Sequence, residues 1–249
     1  MDFTGKTAVI TGAASGIGYL TALQLSQAGA AVGILDVNPE AANQAAERIR
    51  SAGGQAFAYG VDIRCFDQIE AAVSDLHART GRMDILVNCA GGASIRIFNR
   101  TEGFHDMPVD VLDWGIDVNL KGPMYMARAV MGYMIRQKSG VIINIGSVDG
   151  QTGTPVCVDY STAKSGVMNG LTKSLALYGA PHGVRVCCVS PGPVLTREAM
   201  AKMQTRLGRA AEPQEIVDLI LFLASDKGAF VTGSNYMIDG GRSVGAMGQ

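Results

Sequence analysis

The sequence lacks most of the features that would take it outside the ordinary globular enzymes. It has a single tryptophan, and aromatic residues make up 6% of its 249 positions. Its 3 histidines, His77, His105 and His182, are scattered, and no metal-ligand spacing joins them to the cysteines, so no metal site is expected. The 5 cysteines (Cys65, Cys89, Cys157, Cys187 and Cys188) form no C-x-x-C pair, and Cys187 and Cys188 are too close for an ordinary bridge. Reduced thiols and a cytoplasmic protein are the expectation. Charged residues make up 17% and the formal net charge is −1, so no global field draws the chain to nucleic acid or to an anionic membrane. No apolar run approaches the ~20 residues of a membrane span, and no signal peptide pattern stands before the first apolar run. Linkers, repeats and low-complexity stretches are also missing, so one domain over 1–249 is the economical reading.

Glycine, by contrast, is plentiful at 32 residues, and its most informative cluster follows the apolar run at 7–10. There the chain reads Thr11-Gly-Ala-Ala-Ser-Gly-Ile-Gly18. A buried strand that ends here and a helix that starts near Gly16 need a tight turn, and only residues without Cβ let the backbone approach a phosphate closely. The N–H groups at the helix start and the helix dipole favour the anion. Gly12, Ser15, Gly16, Ile17 and Gly18 are therefore candidate dinucleotide contacts. Asp36 closes the next apolar run and is placed to accept hydrogen bonds from the adenosine ribose hydroxyls. The same carboxylate would repel a 2′-phosphate, and neither Val37 nor Ser15 offers a cation to welcome one. NAD is favoured over NADP. The plainer role for Asp36 is to cap the helix beginning near Pro39, and the two roles are compatible.

Strand-like and helix-like runs alternate throughout. The strands are expected at 8–11, 31–35, 56–59, 85–88, 141–145, 184–189 and 236–238. Helices are expected at 17–28, 39–52, 65–80, 111–115 running on through 119–138, 159–178 and 213–224. Short apolar strands without alternation indicate burial on both faces. The pattern predicts an α/β fold: one doubly wound, mostly seven-stranded parallel sheet with helices on both faces. Ligands in such sheets bind beyond the carboxyl ends of the strands. That rule gathers Asp62 and Ile63, then Asn88, Ala90 and Gly91, then Ser147, and finally Pro191, Gly192, Val194 and Thr196 around one crevice.

Tyr160 and Lys164 stand one helical turn apart and share a face. A free tyrosine, with a pKa of about 10, is a poor base at neutral pH. A neighbouring ammonium and an oxidised nicotinamide both favour the phenolate and are expected to lower that pKa. Ser147 is placed to hold the same substrate oxygen. The chemistry this supports is removal of a hydroxyl proton as the carbinol hydride leaves, or the reverse.

These residues resemble the short-chain dehydrogenases/reductases, in the branch of about 250 residues, over essentially the whole chain. The resemblance rests on Thr11–Gly18, Asp62, Asn88-Cys-Ala-Gly91, Asn119, Ser147, Tyr160 with Lys164, Pro191-Gly192, Thr196, Thr232-Gly233 and Asp239-Gly-Gly241. It implies a Rossmann fold with Tyr160 as acid/base, Lys164 as tuner and ribose ligand, and Ser147 as stabiliser of the substrate oxygen. It also implies that Asn119 keeps a water-linked proton path to Lys164 in place. Homotetramers paired through the two long helices are common in this family, with the C-terminal strand adding a further interface. Met124, Met126, Met131 and Met134 make the first of those helices more apolar than one sheet face should need.

Cys89 and Cys187 replace the usual Asn, Gly146 replaces a frequent Ser, and the 196–209 segment is short for a lid, which predicts an open or partly ordered substrate site. Carrier-dependent ketoacyl reductases of the family dock their partner on basic residues where this chain has Gly132 and Leu177, and they generally use NADP. A small-molecule alcohol or ketone is therefore expected, with a polyol, sugar or cyclic alcohol leading. In the loop 92–104 and just after it, Arg96, Arg100 and His105 could meet an anionic or hydroxylated substrate, and Cys157 and Asp159 lie close to Tyr160. The alternatives are a catalytically silent NAD-binding regulator, which usually loses one of the Ser, Tyr and Lys set, and a 3-oxoacyl-type reductase.

Overall fold

The computed structural model describes residues 1–245 and organises them on a seven-stranded parallel sheet. The expected domain span runs on to 249, and 246–249 lie outside the described residues. The strands are β1 (Thr7–Thr11), β2 (Ala31–Asp36), β3 (Gln55–Gly60), β4 (Ile85–Asn88), β5 (Gly140–Ile145), β6 (Val184–Pro191) and β7 (Asn235–Ile238), in the order β3-β2-β1-β4-β5-β6-β7. The order reverses between β1 and β4, and the crevice at that switch point is where doubly wound sheets bind ligands.

The strands read as continuous apolar runs because alternate residues feed two cores. Ile10, Ile34, Ile143 and Val189 face one layer, with α1 (Gly16–Gln27), α2 (Pro39–Ser51) and the last helix, Pro213–Ala224. Val9, Leu35, Leu86 and Ile142 face the other, made by α3 (Phe66–Thr80) and the long helices of the middle of the chain. Each such side chain, taken fully out of water, contributes about 1.5–3 kcal/mol.

The long helices are not continuous. After the short α4 (Ser94–Ile97), the chain forms α5 (Val109–Ile116), a π-helical turn at Asp117–Lys121 and α6 (Gly122–Gln137). Pro123 explains the widened turn, since it has no N–H to donate to the carbonyl of Asn119. Beyond β5 come α7 (Val148–Thr152) and α8 (Val158–Ser165), then a second π-helical turn at Gly166–Leu171, α9 (Thr172–Gly179) and α10 (Pro213–Ala224). The Thr172 hydroxyl donates to the Val167 carbonyl at 2.7 Å and occupies one of the displaced acceptors.

Two expectations need correction here. Met126, Met131 and Met134 are buried inside this chain, at 0%, 5% and 0% exposure, and only Met124 faces outward at 44%. The methionines fill irregular gaps between α6 and the sheet, so they are not a surplus awaiting a partner. The cap of α2 is Asn38, whose side chain accepts from the Ala41 N–H at 3.1 Å, and not Asp36.

Candidate active site

The turn from β1 into α1 places main chain where side chains would otherwise stand. Gly12 has φ 62°, and a Cβ on it would lie 2.8 Å from the Ala90 Cα. A Cβ on Gly18 would strike the Gly12 carbonyl oxygen. Gly16, in contrast, opens into the cleft, and the nearest atom to a Cβ there is Thr196 Cγ2 at 3.8 Å. Ser15 does not cap α1 with its side chain, and no acidic residue occupies the first turn. The helix start therefore presents its N–H groups and dipole to the cleft without an internal anion. This cradle fits the diphosphate of a dinucleotide.

Around it, the sequence-selected residues fall into two groups. Asp36 closes β2 with one carboxylate oxygen on the Ala14 N–H at 3.2 Å and the other on the Asn38 N–H at 3.1 Å, which fixes its direction at the cleft edge. Val37 beside it is exposed and uncharged. Ala90 is held by its N–H on Thr11 Oγ1 at 3.0 Å. Gly192 donates its N–H to the Ile238 carbonyl at 3.1 Å and packs against Asp239, while Pro191 and Val194 are buried behind the rim. The other group turns inward. The Asn88 side chain is 2% exposed and belongs to a buried ladder, donating to Asn144 Oδ1 at 2.9 Å, with Asn144 donating to Thr172 Oγ1 at 3.0 Å. Ile63 packs on Gly122, and the Asp62 carboxylate is engaged by Arg64 at 2.6 Å, which holds its pKa below the usual range. For Asn88 and Ile63, only main chain is left for the crevice.

The catalytic candidates converge on Gly91. A Cβ on that glycine would stand 2.6 Å from Asn119 Oδ1 and 3.3 Å from Lys164 Nζ. Asn119, fully buried in the first π-helical turn, accepts from the Gly92 N–H at 2.9 Å and donates to the carbonyls of Gly92 and Gly115 at 3.0 and 2.9 Å. It thereby locks the β4 loop to α5. Lys164 is 4% exposed, donates to the Ile145 carbonyl at 2.7 Å and lies 5.7 Å from the centroid of the Tyr160 ring. Ser147, at the start of α7, accepts from the Asp149 N–H at 3.1 Å, and its hydroxyl lies close enough to the Tyr160 phenol to pull that group's pKa down.

Electrostatics correct one expectation. Burial raises the Tyr160 pKa above its ordinary value; Ser147 and Arg197 pull it down, while Asp149 and Cys157 push it up. Lys164 is not among those influences, and burial lowers its own pKa to about 8. Desolvation therefore outweighs the groups that pull the phenol's pKa down. Cys89, 3.3 Å by its carbonyl carbon from a Cβ on Gly12, has its thiol pushed up to about 12 by burial.

Cys157 and Asp159 are both buried and serve the packing below Tyr160. Cys157 Sγ donates to Asp159 Oδ1 at 3.4 Å and lies 3.6 Å from Ser94 Oγ, and Asp159 Oδ2 fills the space that Gly115 leaves. The 196–209 segment lies between the residues of a bridge and has one short helical turn. It carries a 3₁₀ turn at Glu198–Lys202 and is pinned by a Val194–Ala211 bridge and by the Thr205 hydroxyl, which donates to the Arg209 carbonyl at 2.7 Å. Sequence reasoning missed Asn144, Thr172 and the Ile145 carbonyl. The signal for the first was visible as a lone Asn inside the apolar run of β5.

A model of the short chain dehydrogenases matches residues 6–207. The chain belongs to that family. Its members bind a nicotinamide cofactor and act as oxidoreductases. Among similar proteins, a 3-oxoacyl-acyl-carrier-protein reductase of Thermotoga maritima is 37% identical, with 97% of this chain and 99% of that protein covered. A cis-4-hydroxycyclohexanecarboxylate dehydrogenase of Sinomonas cyclohexanicum is also 37% identical, over 96% and 97% of the two chains. The crystal structure of a short-chain type dehydrogenase/reductase from Mycobacterium marinum superposes with a TM-score of 0.90 at 34% identity, covering 98% of this chain and 97% of that one. Among the described residues no group of His, Cys, Asp or Glu is arranged to hold a metal ion, and no helix is long and apolar enough to cross a membrane.

Proposed function

We propose that this protein is an NAD-dependent dehydrogenase that interconverts a secondary alcohol and its ketone, with Tyr160 as acid/base. The observation that carries the reading is the convergence of Lys164 Nζ and Asn119 Oδ1 on Gly91, with the centroid of the Tyr160 ring 5.7 Å from the same ammonium. A silent nucleotide-binding member usually loses one of the Ser, Tyr and Lys set, and this chain keeps Ser147, Tyr160 and Lys164. A nicotinamide cofactor held by the glycine cradle and Lys164 would supply the hydride acceptor or donor. Tyr160 takes the hydroxyl proton, Ser147 steadies the same oxygen, and Lys164 holds the ribose and adds positive charge beside the phenol. Asp36, at the cleft edge with no cation beside it, supports NAD over NADP. A cyclic alcohol leads among substrates, since the Sinomonas relative acts on a hydroxylated cyclohexane ring.

The Thermotoga relative favours a second reading, a 3-oxoacyl-type reductase. The face expected to lack a docking cation is not bare. Arg136 Nη1 lies 3.5 Å from where a Cβ on Gly132 would stand, although Leu177, at 78% exposure, offers none. Asp36 weighs against this reading through the cofactor. The exposed Met124, Leu177 and Tyr178 support self-association as a homotetramer, and a monomer by light scattering at micromolar concentration would refute that part. Tyr160→Phe tests the central claim. Turnover of a working alcohol should fall on the order of 10²-fold or more, with NAD binding little changed. The raised pKa of Tyr160 means that oxidation by the parent should accelerate with rising pH, and the variant should lose that limb. Equal turnover with an unchanged pH profile would refute it.

A further inference from the structure

The mouth of the site holds two guanidinium groups with no anion between them. Arg96, on α4, lies over the loop that Asn119 clamps, with Nη2 2.8 Å from where a Cβ on Gly92 would stand. The neighbouring Gly91 is the point on which Lys164 and Asn119 converge, so this guanidinium sits beside the reacting centre. Arg197 follows Thr196, whose Cγ2 is the atom nearest a Cβ on Gly16 at 3.8 Å, and starts the 3₁₀ turn after β6, so it stands at the rim of the glycine cradle; its charge acts on both Tyr160 and Arg96. The other arginines are spoken for. Arg50, Arg64, Arg79, Arg82, Arg100 and Arg209 pair with carboxylates. Arg48, Arg128 and Arg136 lie over aromatic rings, and Arg185, Arg206 and Arg242 donate to carbonyl oxygens. Among the described residues, neither Arg96 nor Arg197 takes part in an ion pair, and Arg197 Nη2 donates to the Met200 sulfur at 3.7 Å.

We propose that Arg96 and Arg197 form a clamp for a carboxylate on the substrate, so that the enzyme prefers hydroxy acids and oxo acids whose carbinol reaches Tyr160 while the acid group stays at the mouth. This rests on the dehydrogenase reading and adds the substrate class to it. Two like charges facing one cleft repel each other, and burial together with Arg197 holds the Arg96 pKa below its ordinary value. A planar guanidinium pairs with carboxylate through two parallel hydrogen bonds, and a bound anion removes the repulsion at the same time. Arg100 and His105 are excluded from the role, because Glu102 at 3.0 Å and Asp106 at 3.1 Å already occupy them.

The test separates anion binding from turnover. Cyclohexanecarboxylate and its neutral methyl ester are titrated calorimetrically into the NAD-loaded protein at low salt. The carboxylate should bind at least about tenfold tighter, and Arg96→Met and Arg197→Met should each remove most of that preference, with Arg96→Lys and Arg197→Lys intermediate. Raising the salt should shrink the gap. In turnover, the ratio of kcat/KM for 4-hydroxycyclohexanecarboxylate over cyclohexanol should exceed one in the parent and fall about tenfold or more in each Met variant. Equal binding of acid and ester, or a preference that survives both Met variants, overturns the clamp even if the alcohols are oxidised. A preserved binding preference with no turnover of either alcohol sinks the dehydrogenase reading and leaves the clamp standing.

Discussion

The two walls of the crevice solve their problems with different parts of the chain. The wall proposed for the cofactor is main chain at strand ends: Gly12 against Ala90, Gly18 against Gly12, and Asp36 fixed by two N–H groups. The wall proposed for the substrate is side chain on connecting segments. It runs through α4 and the loop beyond it, where Phe98 and Phe104 are 41% and 55% exposed and Asn99 has φ 52°, and through the turn at Glu198–Lys202. A dinucleotide has one shape, and meeting it with backbone requires residues without Cβ at fixed spacing. An unknown substrate is met by side chains, and several residue types at several positions can serve.

The sharpest way to break the comparison is to alter the residue where both walls meet. Lys164→Met should lower turnover about 10²–10⁴-fold and weaken NAD as well. The same change should stabilise the protein without cofactor at neutral pH, by on the order of 1 kcal/mol or more, because an ammonium is no longer buried. The pH dependence gives the sign. Lys164 titrates near 8 in the fold and at an ordinary 10.5 when unfolded. Below about 8 both states carry the proton and the burial penalty is complete; between about 8 and 10.5 only the unfolded chain carries it, so stability rises with pH. Thermal melts of the parent should show that rise and melts of Lys164→Met should lack it. A variant less stable than the parent at pH 7 would mean that the Ile145 bond outweighs the desolvation.

This contrast also explains what the sequence could disclose. Parallel strands, the glycine cradle, Asp36, Ser147 and the Tyr160–Lys164 pair were legible because each depends on local residue type and spacing. The π-helical turns were not, since they arise from the missing N–H of Pro123 and from the reach of the Thr172 hydroxyl, which periodicity does not register. The inward turn of Asn88 depends on Asn144 across the sheet, a partner visible only after β4 and β5 pair. The methionines of α6 misled for the opposite reason: an apolar helix looks the same in sequence whether it lies on its own sheet or on another subunit.

A milder perturbation stays on the cofactor wall. Asp36→Ala removes the carboxylate that meets the Ala14 and Asn38 N–H groups. NAD affinity should fall and NADP affinity should rise, so that the gap between them narrows by roughly tenfold, as expected for one or two charge-assisted hydrogen bonds gained or lost. Calorimetric titration of both cofactors into both proteins decides it. Equal affinity for the two in the parent would remove the case for NAD.

The smallest expected effect lies on the substrate wall and serves as its control. Arg100 is close in sequence to Arg96 but is paired with Glu102, and its pair is exposed, at 40% and 36% for the two side chains. Exposed pairs of this kind contribute about 0–1 kcal/mol, and substitutions away from packed or strained positions usually stay within about 0.5 kcal/mol. Arg100→Ala should therefore leave thermal stability nearly unchanged, and the selectivity for carboxylated over neutral alcohols should match that of the parent. A loss of selectivity as large as that of Arg96→Met would show that the field of the whole loop, rather than a placed guanidinium, attracts the anion. The side-chain clamp would then be the wrong account of this wall, and the distinction drawn between a shaped cofactor wall and a pointed substrate wall would fail with it.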